Sequence, residues 1–373
     1  MSLSEQEGVE FTFVATEPIS QDRLDMGYAD MNRAYPFVLR TYDEGGDERA
    51  SALAVAADVM IFGAAPHEYL DMRMENGALT FYFCERPLKK GYWRRLIPMT
   101  YKKIYNGYLK HKDKPLCVLG ASAYASYDLK ICGFDEKKCF KWGYFPEVKE
   151  REVDELIEKK RENKRVKLLY AGRLLKLKRV IDFVKAARLL CDGGVTGFEL
   201  VVIGEGEERE KIEKYIKKNR LSDIVTLLPF MSAEDVREYM DTADVYLFGS
   251  DFNEGWGAVV NEAMASACAT VVSHAVGSAP YLIKNGENGC IYECGRVRKL
   301  AEILKRLIED AEYREGLARR ALETVTGSWS APIAAERLVK LAKSISGGEG
   351  TPFSEGVCSV AEPIKNSWIK KNK

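Results

Sequence analysis

The chain predicts an α/β fold made of two mainly parallel sheets, one in each half, facing each other across a cleft. Three observations carry this. Short apolar runs alternate with longer helical stretches along the whole chain. A highly charged stretch at 150–164 interrupts the alternation, which then restarts more cleanly. The chain has 373 residues, 46% of them hydrophobic, which is enough for two domains of ordinary size. The expected divisions are 1–150, 151–345, and a flexible tail over 346–373 that is rich in Gly, Ser and Pro.

In the first domain the patterns predict strands at 9–15, 59–63, 79–84, 116–120 and 139–142, with helices at 67–75, 92–110 and 122–132. The charged stretch 150–164 reads as a solvated helix connecting the domains. In the second domain, strands at 166–171, 198–204, 224–228 and 245–249 alternate with helices at 180–190, 207–218, 233–242 and 258–267. A strand at 270–273 and a short helix near 280–284 follow. Then come a helical region at 296–325 and an amphipathic helix at 332–344.

Composition narrows the function. Lysines and arginines number 56, as do aspartates and glutamates, so net charge gives no support to nucleic-acid binding by the whole protein. Nine scattered cysteines without a C-x-x-C pair read as reduced thiols of a cytoplasmic protein. Residues 1–9 lack an apolar signal core, and no run approaches the ~18–20 apolar residues of a membrane span.

Polar clusters fall where strands of the second domain end, which is where ligands of open α/β sheets bind. Gly172 permits a sharp exit from the first strand, and Arg173 and Lys178 follow it. An arginine fork and a lysine point charge suit a diphosphate, although surface cations beside Lys176 and Arg179 are the plainer reading. Gly204-Glu205-Gly206 closes the second strand, either as a close approach of backbone to ligand or as a tight strand-to-helix turn. The segment NEGWGAVVNEAMASACATVV places Glu254 in a Gly255-Trp256-Gly257 loop and Glu262 in the helix after it. Backbone N–H groups at a helix start hold phosphate. A carboxylate beside phosphate is repulsive, so Glu254 is assigned to sugar hydroxyls and Glu262 to a ribose.

Together these pieces resemble the donor domain of the retaining family-4 glycosyltransferases, which adopt the GT-B architecture of two Rossmann-like domains. LLYAGRLLKLKRV, ELVVIGEGEEREKI, VTLLPFMSAEDVREYMDTADVYLFGS and EGWGAVVNEAMASACATVV stand in the family's order, and Glu254 and Glu262 meet its E-x7-E motif. The resemblance implies that Arg173 and Lys178 hold the donor diphosphate and that Gly204, Glu205 and Gly206 line the nucleotide pocket. It implies that Phe230 and Met231 flank the base, Val259 and Val260 pack on the nucleoside, Glu262 binds ribose, and Glu254 binds the donor sugar beside the amides of Gly255, Trp256 and Gly257. It also implies transfer with retained configuration and no cofactor or metal. The three histidines, His67, His111 and His274, lie far apart, and no D-x-D triplet occurs.

In the first half, FYFCERPLKKGYWRRLIP, LGASAYASYDL and CFKWGYFPEV look like the acceptor domain of bacterial members that build cell-surface polysaccharide. Glu85 at a strand end is a candidate for acceptor contact or proton handling, with a solvent-exposed loop glutamate as the simpler view. Three departures from the family stand out. Tyr281 replaces a glutamate after the segment Val276 to Pro280, and Ala267 and Ala269 replace a Gly and a Pro at the helix exit. The strand at 9–15 resembles a second strand, so the first strand–helix unit is expected to be missing and a sheet edge uncovered.

Residues 89–114 carry nine Lys or Arg and one acid, Asp113, with Tyr92, Trp93, Tyr101, Tyr105 and Tyr108 interleaved. Such a stretch suits an anionic membrane surface; a solvated helix with a packed aromatic face is the alternative. The function expected is transfer of a sugar from a nucleotide-sugar donor to a saccharide or lipid-linked acceptor, by a cytoplasmic enzyme at the inner face of the membrane. The alternatives are a non-catalytic nucleotide-sugar-binding paralogue or partner subunit and an epimerase of the same fold.

Overall fold

The computed structural model describes residues 1–21, 24, 29–149 and 151–369. In the first domain, β1 (Phe13–Ala15) pairs in parallel with β2 (Val38–Arg40). A separate four-stranded parallel sheet runs in chain order through β3 (Met60–Phe62), β4 (Thr80–Cys84), β5 (Leu116–Gly120) and β6 (Cys139–Lys141). The β5 run Leu-Cys-Val-Leu-Gly is buried throughout, as an apolar strand covered on both faces should be.

The second domain holds six parallel strands: β7 (Val166–Ala171), β8 (Phe198–Ile203), β9 (Val225–Leu228), β10 (Val245–Phe248), β11 (Ala269–Ser273) and β12 (Cys290–Tyr292). Their order is β12-β11-β10-β7-β8-β9, so the winding direction reverses between β7 and β10. That reversal opens a crevice beyond the carboxyl ends of the strands, where doubly wound sheets bind ligands. The α/β class with parallel sheets is as the sequence predicted, but the first half holds two separate sheets where one was expected; the loops singled out above follow β7, β8, β9 and β10.

Several elements differ from expectation. The strand β2, the helices Met31–Ala34 and Gly46–Ala56, and β12 were not foreseen. The strands concerned span three residues each, too few for a periodic pattern. The expected helix at 92–110 is broken at Pro98 into a 3-10 turn (Tyr92–Leu96), a helix (Pro98–Gly107) and a second 3-10 turn (Leu109–His111). The charged connection forms the helix Val153–Arg161, and one face of it is packed. Leu156 and Ile157 are buried, and the Lys160 ammonium donates to the carbonyls of Met240 (3.1 Å), Asp241 (3.0 Å) and Ser266 (2.9 Å). Glu150 lies outside the described residues.

The tail is the largest correction. Residues 357–361 add antiparallel to β6: Lys141 N–H donates to Ser359 O (2.8 Å), Cys358 N–H to Lys141 O (2.9 Å) and Ala361 N–H to Cys139 O (2.8 Å). Val357, Cys358, Ser359 and Ala361 are buried. Beyond them, the Trp368 indole donates to Tyr124 Oη (2.9 Å), and Asn366 Oδ1 accepts from Arg86 (3.2 Å). A short apolar run inside a Gly/Ser/Pro-rich composition is thus enough to cap a sheet edge. Residues 370–373 lie outside the described residues.

Candidate functional site

The site begins where β7 ends. Gly172 leaves the strand with φ +148°, and Arg173 follows it into solvent. Loops from neighbouring strands press against this exit. Leu174 N–H donates to Glu205 O (2.7 Å) and Glu208 N–H to Leu174 O (2.9 Å). A Cβ on Gly204 would overlap the carbonyl oxygen of Gly172, and one on Gly206 would lie 2.6 Å from Leu174 O. These glycines are thus required by loop-to-loop packing, the plainer of the two readings. Glu205 is exposed and pairs with Arg209 (2.9 Å). Phe230, after β9, is 70% exposed, and Met231 packs partly against the core.

Lys178 and Glu254 meet directly. Asp251 N–H donates to Leu177 O (2.9 Å), pinning the 3-10 turn Lys176–Lys178 to the loop after β10. Glu254 N–H donates to Asp251 O (3.0 Å). The Lys178 ammonium then sits 2.5 Å from Glu254 Oε2 and 5.0 Å from the Phe248 ring centre, with both charged side chains 16% exposed. Arg173 shares this neighbourhood. Burial and then the Glu254 charge push the Tyr170 phenol up, while Arg173 pulls it down. The Tyr170 hydroxyl donates to Arg173 O (3.0 Å). Next to it, the Tyr246 hydroxyl donates to Ala171 O (2.9 Å); burial, then Tyr170, and further down Glu262 raise its pKa. Glu262 lies 3.2 Å from Arg237, a partner that sequence reasoning missed.

The helix after the glycine loop spans Val259–Ala265, shorter than expected at both ends. Val260 is fully buried, so it packs in the core and cannot touch a nucleoside; Val259 is partly exposed. Gly257 has φ +83°, and a Cβ there would lie 2.6 Å from the Phe248 ring. Among the described residues, none of the N–H groups of 255–259 donates to a protein acceptor. Gly255 and Trp256 are buried, where an unpaired N–H is costly, so this run of donors suits an anion.

Trp256 is not a ligand contact through its side chain. Its indole donates to Asn261 Oδ1 (2.8 Å), and a Cβ on Gly143 would lie 2.6 Å from its ring edge. Tyr281, standing where the family has a glutamate, packs with Trp256 (6.2 Å) and stacks on Trp329 (5.8 Å). That position has become part of an aromatic interdomain wedge. Ala267 takes φ +48°, the left-handed helix exit that glycine favours.

The first domain closes the other side of the cleft. After β5, Ala123 N–H donates to Gly277 O (2.9 Å), the Tyr124 hydroxyl donates to His274 O, and Tyr124 packs edge-on against Phe252 (5.5 Å). Glu85, at the end of β4, overhangs Gly255 so closely that a Cβ there would overlap its carboxylate. Lys89 and Tyr144 both donate to Glu85, Tyr144 from 3.2 Å. Burial, then the Glu85 charge, push the Tyr144 phenol up to about 12. Glu85 therefore faces the same cleft as Lys178 and Glu254. Lys89, four residues on, was the only sequence sign that it is held in place.

Residues 152–324 match the family model described as glycosyl transferases group 1. Over 178 residues the chain is 29% identical to an alpha-D-kanosaminyltransferase of Streptomyces kanamyceticus, covering 48% of this chain and 45% of that protein. It is 32% identical over 158 residues to a D-inositol 3-phosphate glycosyltransferase of Paenarthrobacter aurescens (strain TC1), covering 41% of this chain and 38% of that one. The chain thus spans under half the length of the curated relatives it matches. The crystal structure of Anabaena Alr3699/HepE in complex with UDP superposes with a TM-score of 0.62 at 16% identity, over 83% of this chain and 85% of that one. Residues 152–324 therefore resemble the group 1 glycosyl transferases, and the chain shares the two-domain GT-B fold of its structural neighbours.

Proposed function

We propose that this protein transfers a hexose from a nucleotide-sugar to a saccharide or lipid-linked acceptor with retention of configuration, in the cytoplasm. The observation carrying this reading is the convergence, at the β7/β10 switch point, of Lys178, Glu254 and the unspent amides of 255–259, with Glu85 of the other domain overhead. Relatives named as glycosyltransferases and a fold shared with a UDP-bound protein support it.

In this reading Arg173 and Lys178 hold the donor diphosphate. Lysine has three N–H donors, so Lys178 can keep Glu254 and still bind a phosphate oxygen. Glu254 is thereby turned toward sugar hydroxyls, Glu262 toward the ribose, and the exposed Phe230 with the backbone at Met231 toward the base. Positive charge on the diphosphate stabilises it as it leaves, with no metal required. The departing phosphate takes the proton of an acceptor hydroxyl attacking from the same face, and Glu85 orients that hydroxyl. The closed cleft limits hydrolysis of the donor.

The test is incubation with a panel of UDP-, GDP- and ADP-sugars and glycosyl acceptors, following nucleoside diphosphate release and the product's anomeric configuration by NMR. Retained configuration is expected, and an inverted product overturns the mechanism. Tight binding without release or transfer overturns the enzyme reading in favour of a nucleotide-sugar-binding partner subunit. Product formed without acceptor favours an epimerase.

A further inference from the structure

From the corner around Pro98 we infer a membrane-docking surface whose partner is an anionic lipid bilayer. The inference deepens the function proposed above by naming where the acceptor is met, but its evidence is separate from the sugar site. Apolar side chains are ordinarily buried, yet Trp93 is 60% exposed, Leu96 77% and Met99 73%. They fall within seven residues where the chain turns: a 3-10 turn (Tyr92–Leu96) runs through an extended Ile97 into the helix Pro98–Gly107. On that helix, Tyr101 and Tyr105 stack one turn apart (6.3 Å) and are also exposed, while Ile104 and Gly107 face inward.

Arg94, Arg95, Lys102 and Lys103 flank these residues along the chain. Among the described residues, no carboxylate pairs with Arg94, Arg95, Lys102 or Lys103, so their charge is available. Arg94 lies over the Trp93 ring (5.7 Å). Apolar and indole groups inserted at the headgroup boundary, flanked by unpaired cations, are how a protein sits on an anionic bilayer. The unpaired cations select against a neutral surface or a second copy of the same face. The segment also adjoins the cleft: Lys89 bonds Glu85, which overhangs Gly255, and the Tyr92 hydroxyl accepts from the Asn366 N–H (2.9 Å). A lipid-linked acceptor held in the bilayer would thus arrive at the rim of the cleft. Among the described residues no helix is long and apolar enough to cross a membrane, so attachment would be peripheral.

The test is co-sedimentation of the full chain with phosphatidylglycerol/phosphatidylcholine vesicles and with phosphatidylcholine alone. Binding to the anionic vesicles only, weakened by salt, is expected. A cation near such a surface is worth roughly fivefold in partition. Reversal of four (R94E, R95E, K102E, K103E) should abolish binding while leaving the melting temperature and nucleotide binding intact. Brominated acyl chains should quench tryptophan emission in the wild type and not in W93F. Equal binding to neutral vesicles, no binding at all, or quenching that persists in W93F would overturn the proposal. So would a dimer in solution that L96S/M99S dissociates, which would make the tip a self-association face. Because nucleotide binding is read separately, a protein that docks but takes no nucleotide would fail the sugar-transfer reading and leave this one standing.

Discussion

Gly255→Ala is the sharpest local test of the proposed site. Gly255 does not adopt positive φ, so the backbone accepts an alanine; the obstacle is the Glu85 carboxylate from the other domain. A carbon–oxygen contact needs about 3.2 Å, so the carboxylate must retreat by roughly 1 Å. It is the far end of a flexible side chain and about 31% exposed, so it can move. The retreat weakens a one-third-exposed ion pair to Lys89, worth about 0.5 kcal/mol, and the Tyr144 hydrogen bond, worth about 1 kcal/mol. The melting temperature should therefore fall by no more than about 3 °C. If Glu85 orients the acceptor, a displacement of that size should lower turnover by about 100-fold while donor affinity changes little. Shortening the carboxylate in the double variant Gly255→Ala/Glu85→Asp should restore part of the loss. Gly277→Ala is the contrast, because its Cβ would meet the backbone carbonyl of Gly255 and Ser122 Oγ at 2.6 Å, so it should cost stability, about 2 kcal/mol or more. Steady-state kinetics with the preferred nucleotide-sugar and thermal unfolding read both outcomes. Turnover of Gly255→Ala within about threefold of wild type, at an unchanged melting temperature, would refute a role for Glu85 in the reaction.

Other expectations follow from individual contacts. Glu262→Ala should weaken nucleotide binding by about tenfold, the worth of one charge-assisted hydrogen bond, whereas Glu254→Ala should mainly lower turnover; titration calorimetry alongside kinetics separates the two. Ala267→Gly relieves a left-handed alanine and should raise stability by about 0.5–1 kcal/mol in urea unfolding, a gain that vanishes if the turn is remodelled instead. Hydrogen bonds from Arg161 to Glu315 (2.8 and 2.6 Å) hold that carboxyl below its ordinary value. Its stabilisation is therefore present above the unfolded glutamate pKa and is lost as pH falls through the lower folded value. Glu315→Gln should melt slightly below wild type near neutrality and match it in acid; a constant gap across that range would contradict the assignment.

The second domain was legible in the sequence, β12 apart, because its strands are apolar and alternate regularly with amphipathic helices. The residues that end them, Gly172, Gly204 and the Gly255 loop, mark turns of a kind that only backbone geometry demands. What was not legible was long-range. The pairing of Glu262 with Arg237 joins residues 25 positions apart, and nothing local announces it. Trp256 read as part of a ligand loop because its neighbours are glycines; its burial depends on Gly143, which arrives from the other domain. The tail looked flexible by composition, but its mostly apolar segment 357–361 needs only the free edge of β6 to become ordered. The short strands β2 and β12 owe their existence to neighbours already in place.

In the function proposed above, Arg173, Lys178 and the loop at 255–259 form one anion site for a nucleoside diphosphate. The most direct measurement is calorimetric titration of UDP, GDP and ADP into the wild type and into Arg173→Ala/Lys178→Met. One nucleotide should bind the wild type at micromolar concentration, and the double variant, with its fold verified by thermal unfolding, should lose about 100-fold or more, as expected when two charge-assisted contacts are removed. Equal affinity in both proteins, or no binding of any of the three at millimolar concentration, would contradict the account.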